Sequence, residues 1–394
     1  MKPKIMNNER TQSNILQYTI CHFVFIVLAA AGAMALTGFD GCHSPTQPGK
    51  TDTVTVKTGP DTSSGNFTWT LDTIAEGGDL KGVIVFNDTE VYVCGEMYLL
   101  DSATEQPSDT EYTLAFWNGK KWTYSNLESS IGYISPALGL YGFSPNDFWY
   151  MDGAPAHWMG PPVNQWTGYN LNGLNMSRGD GLNGFNMKMW GTSSSNIYFA
   201  GNGSLVYFNG VNMSAINTNS PLATTGIYGG INPQTKKEEI ICISSNGSVQ
   251  PISKGVYSVN GATTTQLSDS GLAWLISDIW FVPDSIYYIF GDGIFYKNNI
   301  YDTTQWIAIP KTTTQQYGLI YMISAQGAND IITAGGDGDI LHYNGKTWQS
   351  YYATTQIYGN YNAISLKGNT VCAAGVVGGG PMNEIPVVLI GKRQ

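Results

Sequence analysis

The chain repeats one short pattern seven times, and this periodicity limits its fold more than any other feature. A copy consists of an apolar strand, a polar turn, a second apolar strand, a Gly-rich turn and a third strand that often ends in Asn-Gly. The first residues of the seven second strands are 40 to 57 residues apart; they are Val91, Phe148, Ile197, Ile240, Ile286, Ile331 and Val371. Repeats of about 40–50 residues with several short strands each are typical of propeller blades. The pattern therefore predicts an all-β fold, a seven-bladed β-propeller.

The composition agrees with an all-β fold and excludes one class of partner. Of the 394 residues, 47 are glycine, 24 are tyrosine and only 12% are charged. A low charge with many turn-forming and aromatic residues suits strands and turns rather than helices. The net charge is −10. Because an acidic protein repels phosphate backbones, we expect no nucleic-acid partner.

The two ends of the repeat region predict how the ring closes. The last copy ends with a third strand, PVVLIGKR (386–393), and has no fourth. The segment FTWTLDTI (67–74) precedes the first copy, has a strand pattern and belongs to no copy. We predict that this N-terminal strand closes the last blade as its outer strand, which removes an exposed edge. The propeller is predicted to span residues 66–394.

The residues before the repeats predict export. An uncharged apolar run, FVFIVLAAAGAMAL (23–36), follows Lys2, Lys4 and Arg10, as in a signal peptide. The run is shorter than the roughly 20 residues that a membrane span needs. Two cleavage sites compete, because AMA (33–35) fits a small-x-small site, whereas FDGC (39–42) resembles a bacterial lipobox.

We favour the lipobox, although Phe39 and Asp40 depart from its usual pattern. Residues 1–41 are then a signal peptide of the lipoprotein type, Cys42 is lipidated, and residues 42–65, rich in Pro, Thr, Ser and Gly, form a flexible tether. This predicts a protein of the bacterial cell envelope, lipid-anchored at the outer membrane or cell surface, with the lipid as its only contact with the membrane. The alternative is secretion after cleavage at Ala35.

One Gly-rich turn contains residues that suit metal binding or catalysis. Asp337 and Asp339 flank Gly338, and His342 follows. The corresponding turns of other copies, GNGSL (201–205) and GDGI (291–294), lack one or both carboxylates. We therefore interpret the stretch as a tight turn, with both aspartates only weak metal candidates and no cofactor expected. His342 aligns with Phe116 and Tyr207, which indicates a packing position.

The unit that runs from NDI (329–331) to ILHYNGKTW (340–348) resembles repeat propellers of the sialidase-like and photosystem-assembly-factor-like kind. In particular it resembles extracytoplasmic bacterial repeat lipoproteins, over residues 66–394. The resemblance implies the fold but no single activity, because propellers host many. Some relatives of this kind carry glycosyltransferase labels, which no residues here justify. The sialidase-type aspartate box is not matched, and no stretch supplies the carboxylate pair, about 5–5.5 Å apart, that a retaining glycosidase needs.

Strand order predicts which loops share an end of the propeller. Turns between second and third strands lie with the blade connections at one end, here named the loop face; the remaining turns form the short-turn face. The long variable segments fall on the loop face; they are residues 95–112, 153–165, 171–184 and 375–386. Binding sites tend to form where a rigid scaffold carries variable loops. The candidate ligand-binding residues there are Tyr98, His157, Trp158, Arg178, Trp274 and Tyr317.

These features favour a non-enzymatic, surface-displayed binding or scaffold lipoprotein. It is expected to recognise a protein or polysaccharide at the cell surface through the loop face. No catalytic residue is predicted, because the chain has only four histidines and no arrangement suited to nucleophilic catalysis. Two alternatives stay open: a carbohydrate-active enzyme, glycosidase- or glycosyltransferase-like, with an axial site, and a structural subunit of a surface assembly.

Overall fold

Seven four-stranded antiparallel sheets follow one another along the chain. The computed structural model describes residues 62–127, 137–151, 154–160, 166–171, 174, 188–201, 204–218, 220, 222, 224–247, 251–378 and 384–394. Each sheet is one blade, so the predicted seven-bladed β-propeller is confirmed. All seven predicted anchor residues lie in the second strand of their blade.

The strands have the following bounds. Strand β1 (Phe67–Thr73) precedes blade 1, which is β2 (Gly77–Asn87), β3 (Glu90–Asp101), β4 (Gln106–Trp117) and β5 (Trp122–Ser125). Blade 2 is β6 (Gly139–Ser144), β7 (Asp147–Met151), β8 (Pro155–Trp158) and β9 (Trp166–Gly168). Blade 3 is β10 (Lys188–Ser193), β11 (Asn196–Gly201), β12 (Ser204–Phe208) and β13 (Met213–Ile216). Blade 4 is β14 (Thr224–Ile231), β15 (Glu238–Ser245), β16 (Lys254–Asn260) and β17 (Thr263–Leu267).

The two short helices of the described residues lie in the connections between the last three blades. Blade 5 is β18 (Ile276–Val282), β19 (Ile286–Gly291), β20 (Gly293–Lys297) and β21 (Ile307–Ile309), followed by α1 (Lys311–Thr314). Blade 6 is β22 (Ile320–Gly327), β23 (Asp330–Gly335), β24 (Ile340–Tyr343) and β25 (Trp348–Ser350), followed by α2 (Tyr352–Thr355). Blade 7 is β26 (Gly359–Lys367), β27 (Thr370–Val377), β28 (Ile385–Arg393) and β1. Within the described residues, no helix has the length and apolar character that crossing a bilayer requires.

Apolar side chains hold the blades face to face. The first strand of each blade lies innermost, and consecutive first strands contact one another around the whole ring. Seven buried apolar clusters each combine residues of two adjacent blades, one cluster at every junction. Full burial of a Val, Leu, Ile or Phe side chain contributes about 1.5–3 kcal/mol. A blade alone would expose these faces, so the ring is the unit that buries its core.

A repeated bulge links the inner strands. Thr225, Ser277 and Asn362 are each the extra residue of a β-bulge near the start of an inner strand. Their side chains donate to backbone carbonyls of the next blade: Thr225 Oγ1 to Ile276 O at 3.0 Å, Ser277 Oγ to Ile320 O at 2.5 Å, and Asn362 Nδ2 to Leu80 O at 3.0 Å. Each acceptor residue itself precedes a bulge in its own strand. In blades 4, 5 and 7 the bulge therefore supplies one donor to the inner strand of the next blade, which helps to set the stagger between these neighbours.

Strand β1 closes the ring as predicted. It pairs antiparallel with β28, from Phe67 opposite Arg393 to Thr73 opposite Val387. The Trp69 ring lies on Gly391, where a Cβ atom would come within 2.4 Å of it. Just upstream, Ser63 Oγ donates to Asn329 O at 2.6 Å, in a turn of blade 6 on the short-turn face. The closing strand thus belongs to blade 7 and also touches blade 6.

A buried charge cluster fastens this closure. Both terminal guanidinium nitrogens of Arg393 donate to Asp330, Nη1 to Oδ2 at 2.9 Å and Nη2 to Oδ1 at 2.5 Å. His342 Nε2 lies 2.9 Å from the same Oδ1, and the Arg393 guanidinium lies 4.9 Å from the centre of the Phe67 ring. Burial alone raises the pKa of Asp330, but hydrogen bonds from His342 and Arg393 outweigh it and hold that pKa below its ordinary value. The cluster joins blade 6 to the end of blade 7.

One segment that we expected to be a loop is a hairpin. Residues 95–112 continue β3 and β4, which reach 12 residues each and are longer than the second and third strands of any other blade. Its Ser, Thr, Pro and Gln residues suggested a loop, but Met97, Leu99 and Tyr112 pack on the apolar cluster between blades 7 and 1. We name residues 95–112 the acidic hairpin, because they contain five Asp or Glu residues and no Lys or Arg.

The charge cluster gives a test of ring closure. Replacing Arg393→Ala leaves the Asp330 carboxylate buried without its bidentate partner, which is expected to cost about 3 kcal/mol. Lys392→Ala, a matched change of a neighbouring cation, is expected to cost less than about 1 kcal/mol. Urea denaturation followed by tryptophan fluorescence measures both. Equal losses for the two variants would contradict a special role of the Asp330–Arg393 pair in closure.

Candidate functional site

Two of the predicted site residues, Trp274 and Tyr317, come together on the loop face. Trp274 lies in the connection from blade 4 to blade 5, and its Nε1 donates to Asp292 Oδ2 at 2.6 Å. Asp292 forms the turn between β19 and β20, and its other oxygen accepts from Lys311 Nζ at 2.5 Å. Lys311 begins α1 and lies close enough to Asp339 to act on it electrostatically. Hydrogen bonds therefore lead from Trp274 to Lys311, and an electrostatic interaction links Lys311 to Asp339, whose carboxylate accepts from the Tyr317 N–H group.

Exposed tyrosines complete this surface. The Tyr317 and Tyr352 rings stack with their centres 4.1 Å apart and 21° between their planes. Tyr317 is 65% exposed and Tyr358 is 79% exposed. Tyr358 follows Ile357, whose N–H donates to Asp337 O at 3.2 Å. We name Trp274, Tyr317, Tyr352 and Tyr358 the aromatic patch.

The two aspartates beside the patch form a turn, as the sequence indicated. Asp337 has φ 58° and Gly338 has φ 77°, the left-handed conformation that such a turn requires. Asp339 is buried, and its Oδ2 accepts from the N–H groups of Tyr317 at 2.7 Å and Gly318 at 3.1 Å. In the described residues, no group of three or more His, Cys, Asp and Glu side chains is placed to hold a metal ion. Asp339 therefore fixes the backbone that presents the aromatic patch.

Burial of Asp339 leaves one charge imperfectly satisfied. Desolvation raises the pKa of Asp339, although the hydrogen bonds from Tyr317 and Gly318 oppose the shift. Its Oδ1 atom is buried and has no hydrogen-bond partner in the described part of the chain. The patch thus contains a negative charge beneath it as well as the exposed Asp337 carboxylate beside it.

Tyr98 lies on the same face, in the acidic hairpin rather than in a loop. It is half-buried and pairs with Glu111 across β3 and β4. Nearby, Asp79 stands directly opposite Glu96, a pairing of like charges that destabilises a sheet. Burial, then repulsion from neighbouring carboxylates, raises the pKa values of Glu96 and Glu111. The hairpin therefore concentrates negative charge at the loop face.

The predicted place of His157 and Trp158 on the loop face is wrong. Both lie in β8, which runs away from the loop face, and Trp158 is its last residue. His157 Nε2 lies 2.7 Å from Asp147 Oδ1, and its ring stacks on Trp149 at 4.3 Å. Side-chain contacts with neighbouring strands of blade 2, rather than contacts with loops, hold both residues: His157 contacts Asp147 and Trp149, and Trp158 contacts Trp166. Arg178 lies outside the described residues, and its role stays a prediction.

The Asp147–His157 contact has a counterpart in blade 6. Asp330 and His342 occupy the corresponding strand positions, so His342 is buried as expected but is also hydrogen-bonded. Its Nε2 lies near both Asp330 and Ser63 Oγ (3.2 Å), whereas its Nδ1 has no partner in the described part of the chain. A Ser-His-Asp relay uses the two different ring nitrogens. This cluster therefore lacks the geometry of a catalytic triad.

The central channel is crossed by one buried ion pair. Lys188 Nζ of blade 3 lies 2.7 Å from Asp278 Oδ2 of blade 5 and 3.0 Å from Met322 Sδ of blade 6. Blade 4 separates blades 3 and 5 along the ring, so this side chain spans the channel. Burial raises the pKa of Asp278, and the Lys188 ammonium opposes that shift. The contact links the inner strands of blades 3, 5 and 6 near the loop face.

A shallow cleft of about 330 Å³ lies on the opposite side of the molecule, between blades 4 and 5. It is lined by residues in and next to turns of the short-turn face, among them Glu238, Glu239, Asp284 and Tyr301. Tyr287 Oη donates to Glu239 Oε1 at 2.8 Å. Burial raises the pKa of Glu239. The cleft is separate from the aromatic patch and contains none of the predicted site residues.

Sequence reasoning missed four residues of the loop-face site: Asp292, Lys311, Tyr352 and Tyr358. The connection YYATTQIYG (351–359) carries three of the chain's tyrosines within eight residues, and this density is the signal that was available. Asp292 and Lys311 carried no such signal, because only the fold places them beside Trp274.

Comparison with known proteins supports the fold. No protein-family model matches the chain, and no curated protein matches it. The structure of YCF48 bound to D1 peptide is similar, with TM-score 0.57 and 12% identity over 83% of this chain and 97% of that one. YCF48 from Cyanidioschyzon merolae has TM-score 0.55 and 12% identity over 82% and 98%, and the WD40 β-propeller domain of Doa1 has TM-score 0.55 and 10% identity over 84% and 98%. The chain is therefore a β-propeller repeat protein.

The turn interpretation of the two aspartates can be tested by substitution. Asp339→Ala removes two hydrogen bonds to the backbone that carries Tyr317, and it is expected to lower the free energy of unfolding by about 1–3 kcal/mol. Asp337→Asn keeps a residue that tolerates positive φ and is expected to change it by less than about 0.5 kcal/mol. Thermal unfolding with and without added Ca²⁺ measures both. A Ca²⁺-dependent stabilisation that both variants abolish would favour a metal site instead.

The acidic hairpin predicts a pH effect. The folded-state pKa of Glu111 is raised, so its ionised form destabilises the fold at neutral pH, and this penalty disappears as pH falls below its unfolded pKa of about 4.3. Glu111→Gln is therefore expected to raise Tm at pH 7 and to leave it unchanged at pH 4. The matched control is Glu105→Gln at the exposed tip of the hairpin. An equal gain from Glu111→Gln at both pH values would show that charge is not the cause.

Proposed function

We propose that this chain is a non-enzymatic binding or scaffold protein whose loop face holds a segment of a partner protein. The observation that carries the proposal is the aromatic patch. Its stacked Tyr317–Tyr352 pair and the 79%-exposed Tyr358 stand on a backbone fixed by Asp339. Exposed aromatic rings on a rigid support are typical of protein-recognition surfaces, because they bury much area at little entropic cost.

The inner strands favour binding over glycoside chemistry. Among the seven inner strands, all of which the structure describes, Asp79 and Asp278 are the two carboxylates. Each is paired with a lysine, Asp79 with Lys81 and Asp278 with Lys188. A glycosidase needs two carboxylates free to act on one bond. Their pairing therefore gives no support to the axial-enzyme alternative.

The similar fold of YCF48 adds an argument by analogy. That protein has been seen bound to D1 peptide, so a propeller of this kind can hold a peptide. At 12% identity the likeness extends to the fold alone, and the peptide's position cannot be carried over residue by residue. A polysaccharide remains the alternative partner, because exposed tyrosines also suit sugar rings.

The proposed location is the cell envelope, with a lipid on Cys42. Its support is the apolar run at 23–36 and the FDGC sequence, both of which lie outside the described residues. Mass spectrometry of the mature N-terminus tests this part of the proposal. A diacylglyceryl-modified Cys42 is the expected result, and an unmodified N-terminus after Ala35 would contradict it.

The binding function can be tested by site-specific photocrosslinking in cells that produce the full chain. A photoreactive phenylalanine analogue replaces Tyr317 or Tyr358, and in the control it replaces Tyr301, which is 53% exposed on the short-turn face. We expect one partner protein to crosslink at the two patch positions and not at Tyr301. Tyr352→Ala is then expected to weaken binding of that partner about tenfold, which a loss of about 1.4 kcal/mol would cause.

Two outcomes would contradict the proposal. Equal crosslinking at Tyr301 and at the patch would show that the contacts are non-specific. A glycan array in which the full chain binds saccharides, with binding lost in Tyr317→Ala and no protein crosslinked, would assign the patch to a polysaccharide.

A further inference from the structure

The aromatic patch carries more negative than positive charge. Three carboxylates lie along it, Asp292, Asp337 and Asp339, against one ammonium group, Lys311. Lys311 donates to Asp292 at 2.5 Å, so these two charges offset one another. Asp337 is exposed and takes part in no ion pair within the described chain. A partner with a positive charge at this position would therefore be electrostatically complementary.

A second observation indicates a missing hydrogen-bond donor. Asp339 is 2% exposed, and its Oδ1 atom has no partner in the described part of the chain. Its other oxygen accepts from the Tyr317 and Gly318 N–H groups, so the carboxylate that contains the unpaired oxygen is the one that holds the patch backbone. A buried carboxylate oxygen without a donor costs free energy that an approaching cation reduces.

The stacked pair of Tyr317 and Tyr352 favours a planar cation over a compact one. Tyr317 uses one ring face against Tyr352 and remains 65% exposed, so its surface is open to a flat group. A guanidinium is planar, stacks on aromatic rings and donates two parallel hydrogen bonds to a carboxylate. A lysine ammonium is a compact, strongly hydrated charge and uses such a surface less well.

We infer that the partner segment held by the aromatic patch carries an arginine whose guanidinium lies on the Tyr317 ring and donates to the Asp337 carboxylate. This inference rests on the proposed protein-binding function and adds the chemistry of the partner. Asp339 contributes its charge from beneath, and Trp274, held by Asp292, borders the same surface.

A peptide-display selection tests the inference with a defined probe. A library of random 12-residue peptides is selected on the immobilised full chain, and clones are kept only if the Tyr317→Ala variant fails to retain them. We expect arginine to be enriched in the retained clones relative to the input library, and lysine to be enriched less.

Synthetic versions of one retained peptide then separate charge from shape. Replacing its arginine by citrulline, a neutral isostere, is expected to weaken binding about tenfold, and Asp337→Asn is expected to remove most of that difference. Asp109→Asn, which removes one exposed charge from the acidic hairpin, is the matched control and is expected to leave the difference unchanged.

The outcomes distinguish this inference from the function on which it rests. Retained clones without arginine enrichment, or a citrulline peptide that binds equally well, would overturn the arginine assignment and leave peptide binding intact. If no clone depends on Tyr317, the arginine assignment and peptide binding by this patch both fail. An equal effect of Asp109→Asn and Asp337→Asn would show that only the overall charge of the protein matters.

Discussion

The pairing of β1 with β28 is the contact on which the remaining structure depends. Every blade buries one apolar face against the next, so the ring is stable only when blade 7 is complete and meets blade 1. Seven residue pairs along the closing strand and the buried Asp330–Arg393 contact provide that completion. No disulfide is needed, since the described cysteines, Cys94, Cys242 and Cys372, are buried as free thiols among apolar neighbours.

The closed ring has three parts that differ in their contacts: the inner strands, the short-turn face and the loop face. Bulge side chains join the inner strands of neighbouring blades, and the Lys188–Asp278 ion pair joins those of blades 3 and 5. The short-turn face is fixed by Asn-Gly turns in which Asn118, Asn209 and Asn344 accept backbone N–H groups through their side chains. The loop face has longer connections, and there aromatic rings remain exposed. The loop face is therefore the end that is free to carry exposed aromatic rings.

Much of this fold could be predicted because each blade has the same local sequence pattern. Strand anchors, the closing strand and the Gly-rich turns each have a residue signature within about 20 positions. A contact between distant repeats has no such signature, so the Lys188–Asp278 ion pair was invisible until the ring placed the two residues together. His157 is the instructive error. Its contact with Asp147 matches the Asp330–His342 contact. The sequence already showed a similar Asp-to-His spacing in the two copies, 10 residues in blade 2 and 12 residues in blade 6.

The point at which the described chain enters the propeller has a consequence for how the protein can be attached to a surface. Ser63 is held by turns of blade 6 on the short-turn face, at the end of the propeller opposite the exposed tyrosines. A surface attached at residue 63 would therefore leave the tyrosine-rich end uncovered.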